Sequence, residues 1–573
     1  MMKNLIVFIV VLSLLASTFI DAVDVKINNQ KNTQHKIKFD DLINEHITTG
    51  LQGGQYGGWS CLGCTIGLSL VEQMSVLHEK SIEETLDEIC SYFPGQVGSL
   101  CTYMVNTYGN QIIALFAENK NADDVCLSLQ VCTGSQCRLY NSTSTYTGPF
   151  SGKPNPILSG SKRVNDNPWA WLKKIYALWD NDHLPLEDLD SDKFSIVPTF
   201  RGYNWRGMDC NDFSNEIYPG VVSNNAEPQI DWNCNGISGS NASGTYEEML
   251  CANSGQLGVI VAGDSAGAHF SIPPEWMTAA LINKTTYTDI LSVIEDEADW
   301  PHRSAYTGWV PSTEAIPVDS VYMRMRERNL CNHRDFQNLA VNGGSSDSIL
   351  KTISEVSRNQ QTDQPALVFV ELIGNDVCSQ SHNLDHMTTP SEFVAYIEAT
   401  LTYLDTVLPN GSHVVFIGLV DGRVLWDTLW NRTHPVGVPY ETIYEFLSCL
   451  GVNPCWGWLN PDESIRNQTS ERAALLSSLY PSIIANNTYN NFDLQYYDFP
   501  FPAINAEWIA NGGQTWQLIE PIDGFHPNQQ ANALIGANLW NQIMNDHPDW
   551  LGQVNPNNAK IIQMFGDQGG YSF

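Results

Sequence analysis

The stretch Gly263-Asp264-Ser265-Ala266-Gly267 decides the fold expected for most of this chain. It follows an apolar run at residues 257–262 that predicts a buried strand. A serine on a sharp turn after a strand is a common way to present a hydroxyl nucleophile. Short motifs of this kind also occur by chance, so a plain strand-end turn capped by a serine stays an alternative at this point.

Two more apolar runs, at residues 366–373 and 414–419, predict further buried strands. Continuous apolar strands are expected where helices cover both faces of a parallel sheet. Helical stretches separate the runs, so we predict a doubly wound α/β domain over residues 166–573. We expect its last helix at about residues 528–544 and an irregular tail after Asp546.

Three further blocks follow the serine. Asn342-Gly343-Gly344-Ser345 comes after an apolar run, Gly374-Asn375-Asp376 comes after the second strand, and Asp523-Gly524-Phe525-His526 precedes the last helix. With the Gly-Asp-Ser turn, these blocks resemble those of the GDSL/SGNH hydrolases in their order and placement. The alternative is the nucleophile elbow of the α/β-hydrolases. One departure is that the glycine of the third block is adjacent to its asparagine, where the family has Gly-x-Asn-Asp.

The resemblance and the chemistry of acyl transfer imply a role for each block. Ser265 is the expected nucleophile, which needs a base within hydrogen-bond reach. His526 would take and return the proton, and Asp523 would orient the imidazole. Oxyanion donors would be the backbone N–H groups of Ser265 and Gly344 and the side-chain amide of Asn375.

Two polar neighbours of the serine have plainer interpretations. We expect Asp264 to brace the turn rather than to react. His269, four residues after the serine, either lines the pocket or packs, and we favour packing.

Residues 57–137 show a different pattern. Apolar positions at helical spacing predict four helices, and Ser81 with Glu84 forms a capping box before the second. Six cysteines occur in an order that allows nested bridges, and of the fifteen connectivities we favour Cys61–Cys132, Cys64–Cys126 and Cys90–Cys101. The pattern resembles saposin B-type domains, which implies a helical leaflet that binds lipid or membrane surfaces. The alternative is a disulfide-stapled helical module without a ligand.

The other segments indicate the secretory route. Residues 1–22 have the form of a signal peptide, and residues 23–56 predict a leader. Residues 138–165 predict a linker in which Lys162-Arg163 is a candidate processing site. If the chain is cut there, Cys137 is a candidate for the disulfide that joins the two subunits. We expect no transmembrane helix after the signal peptide.

Composition narrows the function further. The net charge of −34 argues against nucleic-acid binding, which needs basic surfaces. Fourteen cysteines in a secreted chain indicate disulfides. The N-x-S/T sequons, candidate glycosylation sites, are Asn141, Asn241, Asn283, Asn410, Asn431, Asn467 and Asn486.

Acidic residues concentrate at the start of the α/β region. Oxygen donors at this density suit Ca²⁺, although the spacing is not that of an EF-hand. The predicted ligands are Asp180, Asp182, Asp188, Asp190, Asp192, Asp209 and Asp212. The alternative is a solvated acidic loop.

A saposin-like leaflet in front of a GDSL-type domain, together with the segment Thr199-Phe200-Arg201-Gly202, resembles the acyloxyacyl hydrolase family. The resemblance implies a calcium-binding precursor that is cut into two disulfide-linked subunits, in a secreted or endolysosomal (phagosomal) location. It implies removal of secondary acyl chains from the lipid A of lipopolysaccharide. We expect removal of residues 59–137, which form the leaflet, to impair action on lipid aggregates and to spare short soluble esters. Alternatives are a general phospholipase or lysophospholipase of this fold, and a lipid-binding protein with an inactive hydrolase domain.

Overall fold

The computed structural model describes residues 54–141, 143–149, 174–175, 177, 183–310, 316–380 and 382–571. The expected signal peptide and nearly all of the expected leader lie outside the described residues. So do the dibasic site Lys162-Arg163 and two predicted calcium ligands, Asp180 and Asp182.

A leaflet of helices forms the N-terminal part. Its helices are α1 (Gly58–Leu77), α2 (Ile82–Tyr92), α3 (Gly95–Ala117) and α4 (Ala122–Ser128). The capping box before α2 is confirmed: the Glu84 amide donates to Ser81 Oγ at 3.2 Å, and the Ser81 amide donates to the Glu84 carboxylate at 2.9 Å. Each side chain satisfies an amide that has no acceptor within the helix.

Disulfides staple the leaflet and attach it to the rest of the chain. Within the leaflet the structure pairs Cys61–Cys132, Cys64–Cys126 and Cys90–Cys101, the pairs that the nested order favoured. Cys137 pairs with Cys449, which spans 312 residues and joins the leaflet to the α/β domain. The sequence left the other pairs open, and they are Cys210–Cys234, Cys251–Cys331 and Cys378–Cys455.

The leaflet packs on the α/β domain and shares one apolar core with it. The Phe93 and Tyr287 rings lie 4.3 Å apart between centroids, and Gln73 Nε2 donates to the Val436 carbonyl at 3.1 Å. Contrary to the expectation of no further spanning run, α1 is long and apolar enough to cross a membrane, but 78% of its apolar window is buried inside the protein. Its apolar length is therefore used as core.

The α/β domain is built on a parallel sheet, as predicted. Its strands are β1 (Gly258–Gly263), β2 (Phe336–Asn338), β3 (Ala366–Glu371), β4 (Ser412–Ile417) and β5 (Phe492–Tyr497). They lie in the order β2-β1-β3-β4-β5. Side chains alternate between two cores: Val259 and Val261 face the core shared with the leaflet, and Ile260 and Ala262 face the other. Ser240–Asn241 and Gly244–Thr245 form a separate hairpin.

Helices cover both faces of the sheet. In chain order they are α5 (Tyr246–Cys251), α6 (Ser265–Ala268), α7 (Ile290–Glu295), α8 (Val321–Arg328), α9 (Ser346–Ile353), α10 (Pro390–Val407), α11 (Arg423–Leu429), α12 (Tyr440–Cys449), α13 (Glu463–Ser477), α14 (Tyr480–Asn486), α15 (Phe501–Ala510), α16 (Gln529–Asp546) and α17 (Asn558–Phe565). Short 3₁₀ turns lie at Pro274–Trp276, Pro301–Arg303, Leu330–Asn332 and Thr515–Leu518. Helices α9, α10, α13 and α14 contribute to one core, whereas α12, α16 and the leaflet contribute to the other.

The structure differs from the expected elements at the sheet edges and in the tail. Strands β2 and β5 were not predicted, because both lie at edges of the sheet and neither is a continuous apolar run. Strand β5 is mostly half-buried, and β2 buries the polar Gln337 and Asn338. The tail after Asp546 is not irregular throughout, since α17 buries Ile561 against a small satellite core.

Candidate active site

The nucleophile turn lies where β1 meets α6. Ser265 is the first residue of α6, and Asp264 is its N-cap. The Asp264 carboxylate accepts hydrogen bonds from the amides of Ala266 at 2.9 Å and Ile373 at 3.0 Å, and from Asn375 Nδ2 at 3.2 Å. Burial raises the pKa of Asp264 to about 6, against the lowering effect of the backbone donors and of His526. Asp264 therefore braces the turn, as predicted, and links it to the end of β3.

Ser265, His526 and Asp523 form a hydrogen-bonded chain. Ser265 Oγ lies 2.7 Å from His526 Nε2. On the other side of the ring, His526 Nδ1 bonds to Asp523 Oδ2. Ser265 and His526 are both 3% exposed, so water has little access to this contact. The geometry lets the histidine take the serine proton while the aspartate fixes its tautomer.

The loop that carries the acid and the base is clamped from α12. The hydroxyls of Tyr440 and Tyr444 donate to the carbonyls of Pro521 at 2.5 Å and Gly524 at 2.9 Å. Gly524 has φ of +60°, and an added Cβ would lie 2.4 Å from the Tyr444 hydroxyl. Glycine is therefore needed there for both conformation and space. The sequence carried no signal for these tyrosines, which contact the loop from about 80 residues away.

Gly344 lies close to the end of β1. A Cβ here would lie 2.7 Å from the Gly263 carbonyl oxygen, which leaves no room for a side chain. Its amide donates to the Val341 carbonyl at 2.8 Å. An oxyanion would have to share that N–H, so the role of Gly344 as an oxyanion donor stays a prediction. The Val341 amide donates to the Gly263 carbonyl at 3.0 Å, which holds the glycine loop against the end of β1.

The asparagine block joins the same arrangement. Asn375 lines a cavity together with Ser265 and His526. Asp376 accepts a hydrogen bond from the Ser346 hydroxyl and one from its amide, at 3.1 Å. The first residue of α9 is thereby tied to the loop after β3, which fixes the glycine loop relative to Asn375.

An apolar cavity of about 540 Å³ opens beside the serine. Ser265 and His526 form part of its wall. The aromatic residues in the wall are Trp458, Phe499, Phe501 and Phe525. Apolar walls with few polar groups suit a hydrocarbon chain whose carbonyl carbon lies at the serine. Sequence reasoning missed these aromatic residues, which come from separate segments without a shared motif.

A second apolar cavity, of about 740 Å³, lies between the leaflet and the α/β domain. Trp59, Leu62 and Ile66 of α1 form one side, and Asp523 and His526 lie on the other. The leaflet therefore supplies a wall of a cavity that reaches the back of the acid–base pair. A third cavity, of about 870 Å³, is lined by the leaflet and by Tyr287 of the α/β domain.

His269 is not among the residues that line these cavities. It ends α6 with φ of +60° and is 2% exposed. Burial lowers its pKa to about 3, which keeps the ring neutral. It packs, as favoured.

The described aspartates of the predicted calcium site come together. Ligand atoms of Asp188, Asp190 and Asp212 lie within 4.8 Å of one another, and so do those of Asp190, Asp192 and Asp209. The Oδ2 atoms of Asp190, Asp192 and Asp209 are buried without a hydrogen-bond partner. Burial, with the neighbouring carboxylates, raises the pKa of Asp192 to about 8 and that of Asp209 to about 7. These orphaned, mutually repelling oxygens fit a hard cation such as Ca²⁺.

The sequons lie mainly at the surface. Asn467 is half-buried, and its Oδ1 accepts a hydrogen bond from Arg423 at 3.2 Å. The exposed ones are Asn141, Asn241, Asn283, Asn410, Asn431 and Asn486.

A parallel α/β sandwich with a Ser–His–Asp chain at the ends of its strands defines an ester hydrolase of the GDSL type. Comparison with known families agrees: the family described as GDSL-like Lipase/Acylhydrolase matches residues 259–539, and the one described as Saposin-like domain matches residues 60–158.

Relatives along the whole chain are more specific. Acyloxyacyl hydrolase of Mus musculus is 42% identical over 538 residues, which cover 90% of this chain and 94% of the relative. The Homo sapiens protein of that name is 41% identical over the same shares. Saposin-C of Cavia porcellus is 35% identical over 54 residues, 9% of this chain and 67% of the relative. The chain belongs to the acyloxyacyl hydrolase family.

Proposed function

We propose that this protein removes secondary, acyloxyacyl-linked fatty acids from the lipid A of lipopolysaccharide, in a secreted or lysosomal compartment. The observation that carries the proposal is the pair of apolar cavities that meet at His526, one beside Ser265 and one walled by the leaflet. A lipid with several chains needs both a place for the chain that is cut and a place for the chains that stay.

The reaction follows from the hydrogen-bonded chain. Ser265 Oγ attacks the carbonyl carbon of the acyl ester while His526 Nε2 takes its proton, and Asp523 stabilises the imidazolium. The imidazolium then protonates the leaving alkoxy oxygen of the lipid, which departs as a hydroxyl as the ester bond breaks. Water, deprotonated by His526, attacks the acyl-serine and releases the fatty acid with Ser265 restored.

Two donors support the tetrahedral oxyanion in this scheme. The Ser265 amide is the first of α6, and the first amides of a helix have no acceptor within it. Asn375 Nδ2 donates one hydrogen to Asp264 and has a second hydrogen to offer. Loss of one such donor lowers turnover by about 100- to 1000-fold.

The apolar cavities reduce the free-energy cost of removing an acyl chain from its lipid aggregate. Taking a chain out of a lipid aggregate into water costs about 0.8 kcal/mol per methylene, or roughly 10 kcal/mol for a chain of about 12 to 14 carbons. An apolar wall that replaces the neighbouring lipid chains removes most of that cost. Trp59, Leu62 and Ile66 place such a wall on the leaflet itself.

We also infer that Ca²⁺ binds the aspartate cluster. Asp188, Asp190, Asp192, Asp209 and Asp212 would supply carboxylate oxygens, and the ion would offset their mutual repulsion. Lys193 follows the cluster and donates to the Ser354 carbonyl at 3.1 Å, next to the segment after α9. The role of the ion would be to hold this acidic loop in place.

The test is to incubate the protein with lipopolysaccharide and to identify the released fatty acids by mass spectrometry, with Ser265→Ala as the control. We expect release of the non-hydroxylated secondary acyl chains, retention of the primary hydroxyacyl chains, and no release by the variant. Hydrolysis of a short soluble ester without any release from lipopolysaccharide would exclude this substrate. Faster release from glycerophospholipids than from lipopolysaccharide would assign the site to a general phospholipase.

A further inference from the structure

A buried carboxyl that the reaction does not use lies next to the acid–base loop. Glu520 is 4% exposed, and Ser271 Oγ donates to its Oε1 at 2.6 Å. Burial, together with the charge of Asp523, raises the pKa of Glu520 to about 8. A neutral carboxyl can stay beside the Asp523 carboxylate, whereas a second negative charge would be repelled.

The two partners belong to the two segments that must meet for catalysis. Ser271 follows Phe270, whose amide donates to the Ser265 carbonyl at 2.9 Å. The Glu520 amide donates to the His526 carbonyl at 2.7 Å. The bond from Ser271 to Glu520 therefore connects, side chain to side chain, the segment with the nucleophile and the loop with the base, which are 249 residues apart in sequence.

We propose that Glu520 is a positioning residue of the proposed ester hydrolysis: through Ser271 it sets the distance between Ser265 and His526. The reacting contact measures 2.7 Å between Ser265 Oγ and His526 Nε2. A misplacement of about 1 Å in such a contact lowers the rate by roughly 100-fold.

Several titratable and charged groups face the acid–base loop. His434 Nε2 donates to the Ile522 carbonyl at 2.7 Å from the segment before α12, and its lowered pKa, due to burial, keeps it neutral. The groups are Asp523 and His526 on the loop itself, and His434, Tyr440 and Arg432 on the facing segments. Asp264 and His269, beside the nucleophile, also face His526. The carboxylate that acts on Glu520 is Asp523, so ionisation of Glu520 adds a like charge beside Asp523.

The experiment measures kcat and KM of the full chain on a short soluble ester from pH 5 to 9. We expect Glu520→Ala to lower kcat about 10- to 100-fold with KM changed less than about 3-fold. Glu520→Gln keeps a neutral hydrogen-bonding group, so at pH 5 to 7 its kcat stays within about 3-fold of wild type. Wild-type kcat falls as pH rises through about 8, where Glu520 ionises, and this fall is absent in Glu520→Gln.

Ser271→Ala provides a second test, which stands even if Glu520→Ala fails to fold. It breaks the same contact from the other side, so kcat falls several-fold, and the double variant is no slower than Glu520→Ala. Full additivity of the two losses would refute the link, and so would a Glu520→Gln loss as large as that of Glu520→Ala. Glu247→Ala removes another buried, hydrogen-bonded carboxyl, in α5, and is the control that leaves kcat unchanged.

The proposed function can fail separately from this inference. If Ser265→Ala hydrolyses the ester as fast as wild type, the nucleophile is wrong and the proposed function falls. If Ser265→Ala is inactive and Glu520→Ala retains wild-type kcat and pH profile, only the role of Glu520 is wrong.

Discussion

Replacement of Gly344 by alanine tests how the glycine loop acts on the nucleophile. The added Cβ would lie 2.7 Å from the Gly263 carbonyl oxygen and 3.0 Å from that of Val341, whereas ordinary contacts begin at 3.4 Å. One partner must therefore move by about 0.7 Å, the difference between 3.4 and 2.7 Å. Gly263 ends β1, two residues before Ser265, so the displacement reaches the nucleophile turn. Because a shift of about 1 Å costs roughly 100-fold, we expect kcat to fall about 10- to 100-fold.

Stability should fall as well, because such overpacking costs about 1 to 3 kcal/mol. The assay is kcat on a short soluble ester together with Tm from thermal unfolding. Ser345→Ala, in the same loop but with its side chain bonded to Asp347 away from β1, is the control and should keep kcat within about 3-fold. A Gly344→Ala protein with lowered Tm and unchanged kcat would show that displacement of Gly263 does not change the position of Ser265.

Three further predictions concern the metal, the buried His434 and the leaflet. EDTA should lower the Tm of the wild-type protein, because the orphaned carboxylate oxygens lose the ion that offsets their repulsion. In Asp209→Asn most of this EDTA-induced decrease in Tm should be absent. An equal decrease in both proteins would contradict the calcium proposal. His434 has its pKa lowered to about 4 by burial, so the unfolded chain binds its proton first and the contribution of this group to stability is lost as pH falls from about 6.5 to 4. In His434→Gln, the loss of Tm over that interval should be smaller than in wild type, and an unchanged slope would contradict it. Leu62→Gln places an amide in the cavity between the leaflet and the α/β domain, so fatty-acid release from lipopolysaccharide should fall at least about 10-fold while hydrolysis of a short ester stays within about 3-fold; equal losses on both substrates would contradict the proposed chain site.

The sequence predicted the parts of the site that depend on local order. Ser265 follows a continuous apolar strand, and Asp523 and His526 are three residues apart before a long helix. Both segments can therefore be recognised from a short stretch of sequence. The nested cysteine order predicted the leaflet in the same way. Edge strands β2 and β5 were missed because neither is a continuous apolar run: β5 is mostly half-buried, and β2, although buried, carries the polar Gln337 and Asn338.

What could not be predicted depends on contacts between distant segments. Glu520 lies in an ordinary mixed sequence, and its significance appears only when Ser271, 249 residues earlier, is found bonded to it. The approach of the Gly344 backbone to the substrate stays a prediction, and the structure adds a neighbour that leaves no room for a side chain, the Gly263 carbonyl. A glycine in a sequence indicates close approach, and only the fold indicates what approaches.

The leaflet contributes to the active site of the α/β domain and is not an independent module. Removal of residues 59–137 was expected to spare short esters, but α1 contributes Trp59, Leu62 and Ile66 to a cavity wall that faces His526. Helix α1 also contributes to the apolar core that the leaflet shares with the α/β domain. The disulfide from Cys137 to Cys449 attaches the leaflet to the end of α12. The hydroxyls of Tyr440 and Tyr444, on that same helix, hold the acid–base loop. Loss of the leaflet would thus expose apolar surface and loosen the support of His526 together, so both kinds of substrate should suffer. Single substitutions in the cavity wall, which leave this support in place, are therefore the changes that separate lipid extraction from ester chemistry.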